Sequence, residues 1–425
     1  MCRGLGAQER WATKATPHGA AKDFKGGFLE RESMAFVEVE GGVCAPLGFV
    51  AAGVACGLKE SGRPDLCILH SKVICAAAGV FTTNAFRAAP IVVSMEHLRE
   101  GRLGAVVANS GNANAWTGRR GLEDAREMAE VAAGELGITA REVAVASTGV
   151  IGCYLDMEKV KRGISRAAAS LSREGAARAA EAIMTTDTFS KQWSLEADGF
   201  RVGGMAKGAG MISPRMATML AFLTTDALVE PGELSNLLRR VVDRTFNRIT
   251  VDGCTSTNDM VVIMANGLSG RRVRGEELEG PLLALCSRLA RLIVEDGEGA
   301  TRFVTVRVRG AGDDREAEVA ARAVADSPLV KTAFFGGDAN WGRVVQALGA
   351  SLPDLDAAGV EVRFGGLAVA RGGEPLRVEE GALREVMSSP RVDLEIDLGR
   401  GGGEAEVWTC DLSYDYVRIN AEYHT

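Results

Sequence analysis

Residues 203–223 read GGMAKGAGMISPRMATMLAFL, and the character of the chain changes most sharply within them. A glycine-rich stretch ends at Pro214, and the apolar run Met216–Leu223 follows. Glycine tolerates positive φ angles and close backbone approach, and a short apolar run after turn residues is typical of a buried strand. The segment therefore predicts a loop that leads into a buried, rigid strand.

Strand and helix patterns are mixed on both sides of this segment, without a strict β-α-β order. Short apolar runs between residues 35 and 115, such as Cys67–Leu69 and Cys75–Phe81, predict strands. Helical periodicity is found at Leu122–Leu136, Met157–Leu171, Pro231–Phe246 and Glu279–Val294. Strand patterns follow at Phe303–Val308, Val360–Phe364, Leu367–Ala370 and Val392–Leu398, with Gly365–Gly366 as a hairpin turn. This mixture favours a layered α+β architecture over a doubly wound sheet.

The overall composition is that of a globular chain with two or three domains. The 425 residues are 46% hydrophobic and 25% charged, and the net charge is −7. The sequence has neither a basic stripe nor an apolar run of about eighteen residues, so neither nucleic acid nor a membrane is an expected partner. Met1–Lys25 lacks the apolar core of a signal peptide, which predicts a cytoplasmic protein.

Cysteine and histidine patterns give little support to a metal site. The nine cysteines include no CxxC pair, and the four histidines show no HxH or HxxxH spacing. The short signatures of phosphate-binding loops, dinucleotide sites, hydrolase elbows and zinc peptidases are also absent. We therefore expect chemistry without a metal or a bound cofactor, and with a base other than histidine.

Five clusters of polar residues and glycine remain as candidates for that chemistry. They are Asn109–Asn114, Ser147–Gly152, Thr185–Thr188, Lys207–Gly210 and Thr250–Asp259. A single cluster of this kind is most often a set of local turns, because Asn, Ser, Thr and Gly stabilise turns. The joint occurrence of five clusters argues for a shared site.

Together with further motifs, these clusters resemble the ornithine/glutamate N-acetyltransferase family of arginine biosynthesis, whose members cut themselves before a threonine. The resemblance extends from about residue 44 to the C-terminus. It rests on Phe81–Asn84, Ala108–Asn114, Ser147–Gly149, Ala206–Gly208, Met216–Leu220, Asp296–Thr301, Gly337–Arg343 and Tyr416–Ala421. Residues 1–34 lie outside the resemblance and are expected to form a flexible extension.

The resemblance implies a layered αββα fold and self-cleavage between Ala217 and Thr218. After the extension, the cut would leave an α chain of residues 35–217 and a β chain of residues 218–425, which together form the site. Thr218 would then be the nucleophile. Its new α-amine, with an ordinary pKa of about 8, would accept the proton of the hydroxyl group.

The resemblance also assigns residues around the reacting group. Thr148 and Gly149 correspond to the pair that stabilises the oxyanion of acyl transfer. Lys207 is implied to bind the carboxylate of the substrate, and Glu298 its side-chain ammonium. Further substrate contacts are implied for Thr185, Thr218, Asn420 and Thr425. The alternative for Lys207 and Glu298 is an ordinary ion pair at the surface.

The predicted reaction moves an acetyl group from N2-acetyl-L-ornithine to L-glutamate through an acetyl-Thr218 ester, in a ping-pong sequence. The resemblance also implies an α2β2 assembly, and it leaves open whether acetyl-CoA serves as a second donor. Two alternatives remain. One is a self-cleaving aminopeptidase or amidase, in which water resolves the acyl-enzyme, and the other is an uncleaved amino-acid-binding protein.

Four positions depart from the family pattern, namely Trp116, Ser213, Arg215 and Cys254. None of them matches a catalytic position. Ser213 and Arg215 flank the predicted cleavage loop, so self-cleavage is the property that these departures affect most.

Overall fold

A computed structural model of the chain describes residues 36–213 and 219–422. Ala217, Thr218 and Thr425 of the predicted site lie outside these ranges, as do Arg215 and the predicted extension 1–34. The strands are β1 Val37–Glu38, β2 Phe49–Val54, β3 Leu66–Phe81, β4 Arg102–Asn112, β5 Val143–Val150, β6 Lys191–Ala197, β7 Phe200–Lys207, β8 Leu220–Thr225, β9 Met260–Ala265, β10 Phe303–Ala311, β11 Glu361–Phe364, β12 Leu367–Arg371, β13 Glu374–Pro375, β14 Arg391–Asp397 and β15 Gly403–Cys410. The helices are α1 Ala89–His97, α2 Gly118–Leu136, α3 Met157–Ala169, α4 Ala176–Ala182, α5 Pro231–Arg244, α6 Gly275–Glu295, α7 Asp314–Ala325, α8 Pro328–Gly336, α9 Trp341–Ser351, α10 Glu380–Ser388 and α11 Tyr414–Glu422.

The larger sheet has nine strands in the order β1-β6-β7-β8-β9-β3-β4-β5, with β2 paired to β3. The long strand β3 links the two halves of this sheet. It pairs with β2 through Leu66–Ser71 and with β9 through Ala76–Phe81. Its register against β4 shifts between His70 and Cys75. The sequence predicts two separate runs here, whereas the structure joins them in one strand that passes from one half to the other.

The two halves of the sheet pack face to face through one apolar core. Successive side chains of a strand lie on opposite faces, so each half has an inner and an outer face. Leu69 and Ala108 of the β2–β5 half share a buried cluster with Phe222 and Val262 of the β6–β9 half. This inner cluster fills the space between the halves.

Helices cover the outer face of each half. Val107 of β4 shares a buried cluster with Met128 of α2 and Ile164 of α3. On the opposite side, Ile263 of β9 clusters with Leu289 of α6. The layers therefore follow the order α-β-β-α. The predicted layered αββα fold is confirmed, and self-cleavage stays a prediction.

A second sheet of six strands has the order β13-β12-β11-β14-β10-β15. Val306 of β10 shares its core with Ala320 of α7, Phe334 of α8 and Leu348 of α9. The turn between β11 and β12 falls at Gly365–Gly366, where φ is 54° and 82°. A two-residue hairpin turn with positive φ at both positions favours glycine, so the predicted turn is confirmed.

Strand β8 is the buried strand that the sequence predicts after the glycine-rich stretch. All six of its residues are buried, and it pairs with β7 on one side and with β9 on the other. Its carbonyl and amide groups are therefore held by neighbours along both edges. In the ranges that the structure describes, none of the helices combines the length and the apolar character that crossing a membrane demands.

Candidate active site

Two predicted site residues meet where strands β5 and β7 end. Thr148 lies near the end of β5, and Lys207 is the last residue of β7. The Lys207 ammonium donates a hydrogen bond of 3.1 Å to the Thr148 hydroxyl oxygen. Because β5 and β7 belong to opposite halves of the sheet, this contact bridges the two halves. Residues separated by 59 positions in the sequence thus lie side by side.

Gly149, the second predicted oxyanion residue, occupies a position that excludes any side chain. Its φ is 132°, a value that residues with a Cβ rarely adopt. Gly149 faces Gly111 of β4 in the parallel register. A Cβ at position 149 would lie only 2.4 Å from the carbonyl carbon of Gly111. The close approach of two glycine backbones keeps bulky groups away from Thr148.

Lys207 is a buried cation without a carboxylate partner. Only 8% of the residue is exposed, and no carboxylate of the described residues lies within 4.0 Å of its ammonium group. Burial lowers the pKa of Lys207, while the negative charges of Asp187 and Glu298 act in the opposite direction. A surface ion pair, the alternative weighed for this residue, is therefore wrong.

Glu298 lies against the glycine-rich loop that follows β7. Its amide donates to the Ala209 carbonyl oxygen at 2.9 Å. A Cβ on Gly210 would lie 2.4 Å from a Glu298 carboxylate oxygen, so a larger residue at this position would displace the carboxylate. The Asn420 side-chain amide of α11 donates to the same carboxylate at 2.7 Å. Glu298 is 9% exposed and has no ion pair among the described residues, which excludes the surface-pair alternative here too.

Thr185 is positioned by an aspartate to which the sequence interpretation gave no role. The Thr185 amide donates to one Asp187 carboxylate oxygen at 2.9 Å, and the Gly208 amide donates to the other at 2.7 Å. Lys191 lies 2.6 Å from Asp187 and 2.6 Å from Asp296. Burial alone would raise the pKa of Asp187, but the ammonium groups of Lys191 and Lys207 outweigh it and bring it to about 2. Asp187 therefore fixes both the Thr185 loop and the start of the glycine-rich loop.

Asp259 is a second acidic residue that sequence reasoning missed. It precedes β9, next to the start of β8, where the Met260 amide donates to the Met219 carbonyl oxygen at 3.0 Å. The residue is 3% exposed, and its Oδ2 atom has no hydrogen-bond partner among the described residues. Burial raises the pKa of Asp259 well above its ordinary value, although Lys207 acts to lower it. Only the tertiary fold reveals this environment.

The polar cluster Thr250–Asp259 supports the glycine-rich loop. The amides of Met211 and Ile212 donate to the Asp252 carboxylate at 2.6 and 2.9 Å. Asn258 donates to the carbonyl oxygens of Ala113 and Ser147, in the other half of the sheet. The cluster therefore ties the loop to both halves and aligns it with Thr148.

Two of the departures from the family pattern lie at exposed positions. Trp116 is 72% exposed and packs edge-on against Phe86, with 5.0 Å between the ring centroids. Cys254 is exposed, and partial burial together with the charge of Asp252 raises the pKa of its thiol. A raised pKa disfavours the thiolate, so Cys254 is not in the environment of an activated nucleophile.

Fold and site together define a class. In this layered αββα fold a buried ammonium without an ion pair among the described residues lies beside a hydroxyl and a pair of facing glycines. Among the described residues, no three His, Cys, Asp or Glu side chains are grouped so that they could hold a metal ion.

Comparison with known proteins assigns the family. The ArgJ family model matches residues 50–425. The arginine biosynthesis bifunctional protein ArgJ of Symbiobacterium thermophilum is 53% identical over 397 residues, which are 91% of this chain and 99% of that protein. The protein of the same name from Synechococcus sp. is 46% identical over 411 residues, 92% of this chain and 99% of its own length. A solved structure of ornithine acetyltransferase complexed with ornithine, from Mycobacterium tuberculosis, is 44% identical and covers 43% of this chain and 100% of the solved chain, with a TM-score of 0.41.

The chain belongs to the ArgJ family, and the family predicted from the sequence is confirmed by the family model and the two relatives.

Proposed function

We propose that the protein transfers the acetyl group of N2-acetyl-L-ornithine to L-glutamate in the arginine pathway. The relatives are named as bifunctional proteins of arginine biosynthesis, which supports an acetyltransferase over the aminopeptidase and binding-protein alternatives. The observation that carries the proposal is the buried Lys207 ammonium, which lies beside a hydroxyl and, among the described residues, has no carboxylate within 4.0 Å. A ligand carboxylate would supply the missing charge.

The charges of Lys207 and Glu298 match those of an acylated diamino acid. Lys207 pairs with the α-carboxylate, because a buried ammonium gains most from a desolvated anion. The Glu298 carboxylate, held by Asn420, receives the side-chain ammonium of ornithine. Thr185 adds a hydroxyl at the side of the ligand, and we propose Thr425 as a further contact. This arrangement orients the substrate by its two ends.

The chemistry then proceeds in two half-reactions. The Thr218 hydroxyl oxygen attacks the acetyl carbonyl carbon, the bond from that carbon to the ornithine nitrogen breaks, and the hydroxyl proton passes through the Thr218 α-amine to the leaving amine. The glutamate amine next attacks the acetyl ester, and its released proton returns to the Thr218 oxygen. Thr148 and Gly149 face the oxyanion of both steps, where one donor contributes about 3 kcal/mol of barrier lowering.

Cleavage before Thr218 is part of the proposal, since the free α-amine serves as the base. The resulting α and β chains must remain together, because Thr148 and Lys207 lie before the cut while Glu298 and Asn420 lie after it. We further propose an α2β2 assembly in the cytoplasm, no bound cofactor, and acetyl-CoA as a second donor of the acetyl group.

Intact-mass spectrometry of the denatured protein tests the nucleophile. We expect a 217-residue and a 208-residue fragment whose masses add up to 44.8 kDa plus one water, and only full-length chain in Thr218→Ala. Thr16→Ala is the matched control, because Ala15-Thr16 is the same dipeptide in the predicted extension. A full-length wild-type chain would remove the free amine from the mechanism.

A second assay distinguishes transfer from hydrolysis. Incubation with N2-acetyl-L-ornithine should yield N-acetylglutamate when glutamate is present, and an acetylated β chain that persists when it is absent. Acetate release at the same rate with and without glutamate would favour the amidase instead.

A further inference from the structure

A cavity of about 390 Å³ lies beside Thr185, which is its one lining residue that belongs to the predicted substrate site. The lining residues are Lys59, Ser61, Arg63, Glu181, Met184 and Thr185. Because Thr185 belongs to the proposed substrate site, the cavity adjoins that site. It is large enough to hold the side chain of an amino acid.

The loop that carries Lys59 is held in a fixed shape by one carboxylate. Asp65 accepts hydrogen bonds from four backbone amides, those of Cys56, Gly57, Leu58 and Lys59, at 2.6 to 3.0 Å. Asp65 itself is fully buried. A carboxylate with four amide donors fixes the backbone of the loop, so the position of Lys59 is set by the fold.

The stem of Lys59 reaches the strand that faces the predicted oxyanion pair. A Cβ on Gly111 would lie 3.2 Å from the Lys59 Cγ atom, which shows how closely the stem packs on β4. Gly111 is the register partner of Gly149. Lys59 thus lines the cavity while its stem packs on the strand that carries Gly111.

The cavity contains two cations without carboxylate partners. The Lys59 ammonium donates to the Pro64 carbonyl oxygen at 2.8 Å, and within the described ranges it has no carboxylate within 4.0 Å. The exposed Arg63 guanidinium likewise has no ion pair among the described residues. The one acid of the lining, Glu181, is already paired with Arg178 at 3.2 Å. The cavity therefore favours an anion.

The proposed reaction supplies a reason for such an anion pocket. Ornithine and glutamate differ in the charge of their side chains, and Glu298 suits only the ammonium of ornithine. A glutamate side chain in the same place would meet like charge, which is unfavourable in a buried site. Burial lowers the pKa of both Lys59 and Lys207; among the opposing charges, Asp65 and Asp187 act on Lys59, and Asp187 acts on Lys207 as well.

We propose that Lys59 and Arg63 bind the side-chain carboxylate of the acceptor amino acid and so select glutamate for the second half-reaction. This inference rests on the proposed acetyl transfer. The two half-reactions would then use the same centre at Thr148 and Lys207 but direct their side chains to different walls. Ornithine would lie toward Glu298 and glutamate toward Lys59 and Arg63.

The test compares glutamate with glutamine as acceptors in the second half-reaction. Glutamine has the same shape but no side-chain charge. In Lys59→Met, which keeps the stem that packs on Gly111, and in Arg63→Ala, we expect the ratio of kcat/KM for glutamate over glutamine to fall about tenfold or more, as for the loss of a hydrogen bond to a charged group. The rate of ornithine release from N2-acetyl-L-ornithine in the first half-reaction should remain unchanged.

Lys72→Met and Arg99→Ala are the matched controls, since both residues are exposed and neither lines the cavity. An unchanged glutamate preference in the double variant Lys59→Met/Arg63→Ala, with ornithine release intact, would overturn the inference. Absence of ornithine release in the wild-type protein would instead overturn the proposed acetyl transfer. If Lys59→Met lowers the melting temperature, Arg63→Ala decides alone, because Arg63 is exposed.

Discussion

Two buried lysines of the same sheet have opposite surroundings. Lys191, at the start of β6, is fully buried, and its ammonium lies 2.6 Å from both Asp187 and Asp296. Lys207, at the end of β7, is almost as buried, but its ammonium donates to the Thr148 hydroxyl and has no carboxylate of the described residues within 4.0 Å. Burial of an unpaired ion is unfavourable by several kcal/mol, and proteins retain such ions mainly where they serve a site. We therefore expect Lys191 to stabilise the fold and Lys207 to bind the ligand.

The largest effect that tests this comparison is on stability, at Lys191. In Lys191→Met the carboxylates of Asp187 and Asp296 remain buried without their cation. Removal of one partner of a buried ion pair typically lowers the free energy of unfolding by about 3–5 kcal/mol. We expect this loss in urea denaturation followed by circular dichroism.

Lys161 provides the matched control for Lys191. It also lies near two carboxylates, Glu127 at 3.2 Å and Glu158 at 2.8 Å, but at the surface of α3. Water and salt screen such a pair, so Lys161→Met should leave the unfolding curve almost unchanged. Equal effects of the two substitutions would contradict the structural role of Lys191.

The second prediction concerns Lys207, where we expect a large loss of ligand affinity and little change in stability. In Lys207→Met the affinity for L-ornithine should fall about a hundredfold, which corresponds to about 2.7 kcal/mol, because the ligand carboxylate loses a desolvated charge partner. The free energy of unfolding should stay within about 1 kcal/mol of the wild type or rise, since an unpaired buried charge is removed. Calorimetric titration and urea denaturation measure the two quantities.

Two other results would remove the distinction between the lysines. One is unchanged ornithine affinity in Lys207→Met. The other is a loss of stability as large as that of Lys191→Met.

Sequence patterns predict the long and strongly periodic elements of the fold. Helices α2, α3, α5 and α6 and the strands β10, β11, β12 and β14 lie where periodicity places them. The hairpin at Gly365–Gly366 is also predicted, because positive φ at both positions leaves glycine as the natural choice. In each of these elements the residue pattern that predicts it lies within a single turn or along a single face.

Some of the elements that the sequence analysis missed have weak local signals. Helix α4, Ala176–Ala182, is mostly alanine and therefore shows little contrast between its two faces. Helix α8, Pro328–Gly336, is apolar around most of its surface, and α10 has only nine residues. The sequence predicts two runs in place of strand β3, because Ser71 and Lys72 interrupt the apolar pattern. Pairing with β2 and β9 nevertheless keeps the strand continuous.

In the candidate site, too, some residues could be predicted from the sequence and others could not. The resemblance to a family placed Thr148, Lys207 and Glu298, but no spacing in the sequence shows that the first two touch. Asp187 and Asp259 were missed because an aspartate in a polar segment is usually a turn residue. Their roles depend on burial and on neighbours that only the folded chain supplies.

The smallest prediction concerns Asp259, the carboxyl group that shares the surroundings of Lys207. Burial raises its pKa well above the ordinary value of 3.8, so the native state keeps a proton that the unfolded chain releases near that pH. Between 3.8 and the raised native pKa the native state binds more protons than the unfolded state. Stability must therefore fall as pH rises through this window, with a slope of at most about 1.4 kcal/mol per pH unit.

Asp259→Asn removes this titration, so we expect the melting temperature of the variant to fall less than that of the wild type between pH 4 and pH 7. Asp354→Asn, at an exposed position, should follow the wild-type curve. Parallel curves for Asp259→Asn and the wild type would mean that Asp259 is ionised in the native state. Lys207 would then have a further anion of the protein in its surroundings at neutral pH, besides Asp187 and Glu298, which would weaken the contrast with Lys191. A flatter curve for Asp259→Asn would mean that the charge of Lys207 is left for the ligand.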